Sequence, residues 1–181
     1  MCSEFDEVLT FWFEETTPQQ YWTKDDAFDD TIRNQFSSLH EKAAKGKLEH
    51  WRDSPLGALA EIVILDQFSR NIYRGDPGSF ASDELCLKLA KEAIEKGFDR
   101  QLDIKKREFL YLPFMHSEAK EDHEKAVQLF SEKGLENNLE FEYKHKAIID
   151  KFGRYPHRNE ILGRQSTPEE IEFLTQPGSS F

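Results

Sequence analysis

Cysteine is nearly absent: Cys2 and Cys86 are the only two in 181 residues, too few and too far apart for a disulfide framework or a cysteine-based zinc site. No apolar run approaches the roughly 18 residues that a membrane-spanning helix needs. Positive charge is scarce too, since 24 Lys and Arg stand against 35 Asp and Glu and leave a formal net charge of −11. Such a surface repels nucleic acid and anionic membranes, so neither is an expected partner. The opening Met1-Cys2-Ser3-Glu4-Phe5-Asp6 is acidic where a signal peptide is basic, and no lipidation motif is seen at either end. A cytoplasmic location is the expectation.

Catalytic signatures are missing as well. There is no glycine-rich phosphate loop and no Gly-x-Ser-x-Gly elbow, which argues against kinase, NTPase, dinucleotide and α/β-hydrolase chemistry. There is no His-Glu-x-x-His for zinc. Glu142-x-x-His145 has the carboxylate–histidine spacing of a di-iron bundle, but such bundles need a second copy and the chain has none. Asp66, His116, Glu118 and His157 are chemically able to ligate one metal ion, yet nothing in their spacing calls for it. No cofactor is implied.

Aromatic residues, by contrast, are abundant: 15 Phe, 5 Tyr and 3 Trp, spread along the chain. Each can bury a large area, which argues for a packed core rather than disorder. Apolar residues recur at helical spacing. Phe5, Val8, Leu9, Trp12 and Phe13 come after an N-cap at Ser3, and Pro18 is expected to end that helix. Further helices are predicted at about 25–45, 55–72, 81–96, from Asp103 towards Pro113, 117–133, 138–152 and 168–174. No segment alternates with period two long enough for a strand. No linker or internal repeat divides the chain, so one all-α domain of seven or eight antiparallel helices is expected.

Two segments stand out chemically. The helix at 55–72 is apolar nearly all round and then turns polar at Asp66, Gln67, Arg70, Asn71 and Arg74. On an uninterrupted helix these five side chains form one strip. Burying charge costs several kcal/mol unless it is paired, so an Asp66–Arg70 ion pair at i,i+4 is the plain reading. Five polar groups exceed what one pair requires, and a binding role is the sharper one.

The second segment is Phe152-Gly153-Arg154-Tyr155-Pro156-His157-Arg158-Asn159, a loop by its glycine and proline. Of the nine arginines, five are Arg70, Arg74, Arg154, Arg158 and Arg164, while no lysine lies between Lys47 and Lys88 or after Lys151. Solubility is indifferent to the choice of cation, but planar bidentate recognition of carboxylate or phosphate is not. Internal pairing with the chain's many acids explains the same pattern, and both readings stand. Among the histidines, His40, His50 and His123 read as helix-surface residues. His116 comes after an apolar run, His145 sits mid-helix near Ile148, Ile149 and Phe152, and His157 lies in the arginine loop.

These same residues carry a resemblance. Leu65-Asp66-Gln67-Phe68-Ser69-Arg70-Asn71-Ile72-Tyr73-Arg74-Gly75, Leu112-Pro113-Phe114-Met115-His116-Ser117-Glu118, His145 with the arginine loop, and Leu162-Gly163-Arg164-Gln165-Ser166-Thr167 with Glu169-Glu170 together resemble domain-of-unknown-function family 924. That family is grouped by fold with the tetratricopeptide-repeat-like superfamily. Ser69 stands where the family commonly has proline. The resemblance implies an all-α, right-handed helical array and carries no established reaction. The Trp, Leu-Gly and Tyr signature of true tetratricopeptide repeats is missing here.

Two functions are expected in the alternative. In the first, Asp66, His116, Glu118 and His157 do acid–base work on a small anion. Trp51, Gln67, Arg70, Asn71, Arg74, His145, Arg154, Arg158 and Asn159 hold that anion, with Trp51 or Trp22 as an aromatic wall. In the second, the chain is a non-catalytic helical module that binds a partner such as an acidic peptide. The sequence leaves the oligomeric state open.

Overall fold

The computed structural model describes residues 3–181, so Cys2 lies outside the described residues. The fold is an all-α helical array, with no strand among the described residues. The described residues form two compact units: one runs up to Arg74 and includes Gly78–Pro113, and the other is Gly75–Pro77 with Phe114–Phe181.

In the first unit, α1 (Glu4–Thr10) starts at a capping box in which Ser3 and Asp6 satisfy each other's backbone N–H groups. It continues as a π-helical turn over Phe11–Glu15, where Thr16 N–H reaches back five residues to the Phe11 carbonyl. Pro18 corrects the sequence reading. The preceding helix has already stopped, and Pro18 takes the first position of a short α2 (Pro18–Trp22), where its missing N–H costs nothing. α3 (Asp26–Ala44) turns Phe28, Ile32, Phe36 and Leu39 inward, as their spacing predicts. α4 (Pro55–Val63) is capped by Ser54 and buried almost throughout. A second π turn, Ile64–Phe68, joins it to α5 (Ser69–Ile72). α3 packs on this π turn and on α5, α1 packs on α4, and α6 (Asp83–Glu95) packs on α4 and the π turn. The core they enclose is aromatic. Trp12 meets Phe68 and Phe109 edge-on at 5.5 and 5.6 Å, geometries that favour the ring quadrupoles.

α7 (Ile104–His116) runs through Pro113 instead of stopping at it, giving up the backbone bond that a proline cannot donate. Its last residues, Phe114 to His116, belong to the second unit. There α8 (Lys120–Phe130) packs against α9 (Glu136–Phe152). Gly153 ends α9 at φ +70°, a left-handed cap that a residue without Cβ adopts freely. A 3-10 turn at Pro156–Arg158 packs on α10 (Pro168–Leu174), which opens with the predicted Thr167–Glu170 capping box. Ile148, Ile149 and Tyr155 form one core cluster of this unit, with Phe152 and Phe173 against it.

Candidate functional site

The polar strip and Trp51 belong to the first unit, and the remaining candidates to the second. The strip is not continuous. The π turn inserts an extra residue, which rotates the next turn of chain by about 100° relative to a regular helix, and α5 ends at Ile72, before Arg74. The polar groups therefore go to two partners. Asp66, 1% exposed, accepts from Gln67 Nε2 at 2.7 Å and sits 3.1 Å from Arg70 Nη1. Arg70 also donates two bonds to Asp83 on α6, at 3.0 and 3.1 Å. Burial opposes the guanidinium charge, but Asp66 and Asp83 outweigh it and raise the Arg70 pKa. Asn71 and Arg74 turn instead to Asp29 on α3, donating to its Oδ1 at 2.7 and 2.8 Å. Although burial raises the Asp29 pKa, these donors bring it below the usual value. Arg52 likewise chelates Glu61, whose side chain is fully buried, with two bonds of 2.7 Å.

Trp51 is core, 4% exposed and edge-on to Phe5, while Trp22 is 60% exposed. His40 corrects the sequence reading. It is buried, and its Nε2 lies 2.7 Å from Ser69 Oγ, which itself donates to the Leu65 carbonyl. Ser69 must then accept, so His40 carries its proton on Nε2. A recess lined by Arg52, Ala58, Glu61, Leu89 and Phe98 holds about 10 Å³, the space of a single water.

In the second unit the arginine loop is tied by carboxylates. Arg154 chelates Glu170 at 2.7 and 2.8 Å, and Asn159 joins the same carboxylate at 3.2 Å. The Arg154 bond leads the effects that draw the Glu170 pKa down to about 2. Arg164 donates to Asn159 Oδ1 and chelates Glu118 at 2.8 and 3.0 Å. Glu118 also accepts the Tyr155 backbone N–H at 2.7 Å. Burial raises the Glu118 pKa, yet Arg164 and that N–H hold it below its ordinary value. Glu170, Arg154, Asn159, Arg164 and Glu118 thus form one connected network.

Tyr155 is the hub beside it. Its hydroxyl donates to the Met115 carbonyl, and its ring is met by His145 at 5.8 Å, His157 at 5.5 Å and the Arg158 guanidinium at 4.7 Å. Arg158 also donates to the His116 carbonyl at 2.9 Å. His145 is 6% exposed and gives its Nδ1 proton to the Phe141 carbonyl at 2.7 Å, which leaves an acceptor lone pair on Nε2. Burial, helped by the His116, His123 and His157 imidazoles and only partly offset by the Phe141 bond, pushes its pKa down to about 3. His145 is therefore neutral at physiological pH.

His123 is the clearest departure from the sequence reading. It is wholly buried, with Nδ1 2.7 Å from Glu142 Oε1 and Nε2 2.8 Å from the Ser117 carbonyl. Its Asp122 and Glu124 neighbours suggest a surface, but His123 is held by Glu142 on α9 and by the Ser117 carbonyl. Sequence reasoning also missed Tyr155 as a centre, together with Asp29, Asp83, Glu142 and Glu170 as the acids that take up the arginines and His123. A period of 3.6 reports which face is apolar and cannot name a partner tens of residues away. Among the described residues, no group of three or more His, Cys, Asp or Glu side chains is placed to hold a metal ion.

The architecture and these networks define an all-helical protein whose arginines are organised around buried carboxylates. Within that class the chain belongs to the family described as bacterial protein of unknown function (DUF924), which it matches over residues 8–178. It is similar to the solved structure of a protein of unknown function from Agrobacterium tumefaciens. That similarity is 36% identity at a TM-score of 0.89, covering 94% of this chain and 96% of that one. No curated protein matches this chain. No helix among the described residues is long and apolar enough to cross a membrane.

Proposed function

We propose that the imidazole- and guanidinium-rich cluster around Tyr155 binds a small organic anion, with the Arg158 guanidinium supplying the positive charge, His157 a second imidazole and His145 a neutral acceptor. The observation that carries this reading is the convergence on one ring: the Arg158 guanidinium lies over Tyr155, and the His145 and His157 imidazoles meet the same ring. A guanidinium on a ring keeps its in-plane N–H donors directed sideways, which suits carboxylate or phosphate. Arg52, Arg70, Arg74, Arg154 and Arg164 are paired with carboxylates as parts of the scaffold. His116 and His157 are the proton carriers in this reading, with Glu118 anchored as the strut that holds the loop. Asp66, committed to Arg70 and Gln67, takes no part. The test is a thermal-shift titration of wild type, Arg158→Met and His157→Asn against acetate, benzoate and phosphate. A ligand at 100 times its Kd stabilises by about 2.7 kcal/mol. A rise in wild-type melting temperature that is lost in both variants supports the site. No rise with any anion rejects it.

A second reading has its own support. The second unit exposes Phe141, Tyr143, Ile171 and Leu174, all at least 37% accessible. A helical module that binds a partner through such a surface, with its ion pairs purely structural, has no need of an anion site.

A further inference from the structure

The segment that follows α10 packs against His145. After α10, the backbone turns at Gly178, where φ is +77°, and Ser179 Oγ donates to the Leu174 carbonyl at 3.2 Å. Phe181 then lays its ring on the imidazole of His145, with centroids 3.7 Å apart and planes inclined by 24°. The same ring stands edge-on to His157 at 6.1 Å. Phe181 is itself 52% exposed, so its own burial does little to hold it there. His145, in contrast, is nearly fully buried, and its one hydrogen bond, through Nδ1, leaves Nε2 unpartnered among the described residues.

We infer that the face of His145 is a stacking subsite for a planar aromatic anion, an aryl carboxylate in the simplest case, and that Phe181 is a built-in occupant competing for it. The inference rests on the anion site around Tyr155 and adds the ring to the charge. A flat, neutral imidazole whose position is set by the Phe141 carbonyl offers a π surface without the cost of dehydrating a charge. Arg158 and His157 lie on the same Tyr155 hub, so a carboxylate attached to the stacked ring has a guanidinium and an imidazole beside it. A saturated ring of equal size keeps the charge and loses the stacking.

Isothermal titration of the full chain with benzoate and cyclohexanecarboxylate tests this, on wild type, Phe181→Ala and Arg158→Met. Benzoate is expected to bind more tightly than cyclohexanecarboxylate. Phe181→Ala should tighten benzoate by a factor of about two to ten, the range of an aromatic pair. Arg158→Met should weaken both. Proton NMR of the His145 ring provides the structural check, because loss of the Phe181 ring current in Phe181→Ala must move its C–H signals. Equal binding of the two acids, or benzoate affinity unchanged in Phe181→Ala, overturns the aromatic subsite while leaving an Arg158-dependent anion site standing. Binding of neither acid to wild type or Phe181→Ala overturns both. His145 signals that do not move in Phe181→Ala show that the tail is not the occupant and defeat the inference.

Discussion

His123 Nδ1 and Glu142 Oε1 lie 2.7 Å apart with both side chains wholly buried. The Ser117 carbonyl can only accept, so His123 Nε2 keeps its proton and a single further proton occupies the His123–Glu142 bond. Burial raises the Glu142 pKa, although the His123 bond opposes it. Glutamine at this position can donate to the Nδ1 lone pair as a protonated carboxyl does. Glu142→Gln is therefore expected to cost less than about 1 kcal/mol, and Glu142→Ala, which leaves a buried nitrogen unsatisfied, about 2–3 kcal/mol. Urea denaturation of the two variants decides it. Equal losses mean that the pair is ionised.

Stability should fall with acid in two stages. The folded-state pKa of His145 is about 3 against an ordinary 6.5, so the unfolded chain binds the extra proton. Its contribution is complete above about 6.5 and erodes as pH falls towards 3, at up to about 1.4 kcal/mol per pH unit. Glu170, drawn down to about 2 from 4.5, has the same sign and adds its loss only below about 4.5. His145→Phe should make the stability profile shallower between pH 6.5 and 4.5, where buried His40, also depressed, keeps a slope of the same sign, and leave the lower limb intact. A slope unchanged in the variant would show that His145 does not titrate as described.

The fold was legible because helical periodicity, caps and stop residues are local. Ser3, Ser54, Thr167 and Gly153 act where their neighbours in the chain say they should. The misreadings at Pro18 and Pro113 share one cause. Proline marks a missing donor, and only the surrounding structure decides whether that position opens a helix or sits inside one. The family resemblance and the structural match both extend over nearly the whole chain.

The site was legible in its residues and illegible in its pairing. Arg70, Arg154 and Glu118 stood out by residue type, yet Asp83, Glu170 and Arg164, which complete them, lie 13, 16 and 46 positions away. The π turn at Ile64–Phe68 changed which residues share a face, and no single residue in that segment announces it. His40 and His123 looked solvated because their chain neighbours are polar, but burial is set by what packs across from them.

Gly57 offers a prediction independent of charge. A Cβ at this third residue of α4 would press into the Trp51 carbonyl oxygen, far inside contact distance, and meet Ser54 Oγ at 3.0 Å. Alanine favours a helix over glycine by about 1 kcal/mol, so propensity alone predicts a gain. The backbone clash should reverse the sign, and Gly57→Ala is expected to lose more than about 2 kcal/mol. A variant as stable as wild type would mean that the turn at Glu49–Asp53 can move away at little cost.

The Glu118–Arg164 pair separates a structural arginine from Arg158, the one assigned to a ligand in the proposed site. Its two bonds, with a third from Tyr155 N–H, fasten the loop that carries His157 and Arg158. Both side chains are about one-quarter exposed, so solvent screens the charge but not the geometry. Glu118→Gln and Arg164→Met are each expected to destabilise by about 1–2 kcal/mol. The double variant should lose about 1 kcal/mol less than their sum, because either change alone breaks the same contact. Arg158→Met should couple to Arg164→Met less strongly than Glu118→Gln does, since Arg158 hydrogen-bonds the His116 carbonyl and stacks on Tyr155, although its charge also acts on Glu118. Additivity of Glu118→Gln with Arg164→Met, measured by chemical denaturation, would remove the pair as the loop's anchor. Strong coupling between Arg158 and Arg164 would place Arg158 in the same scaffold and weaken its assignment to an anion.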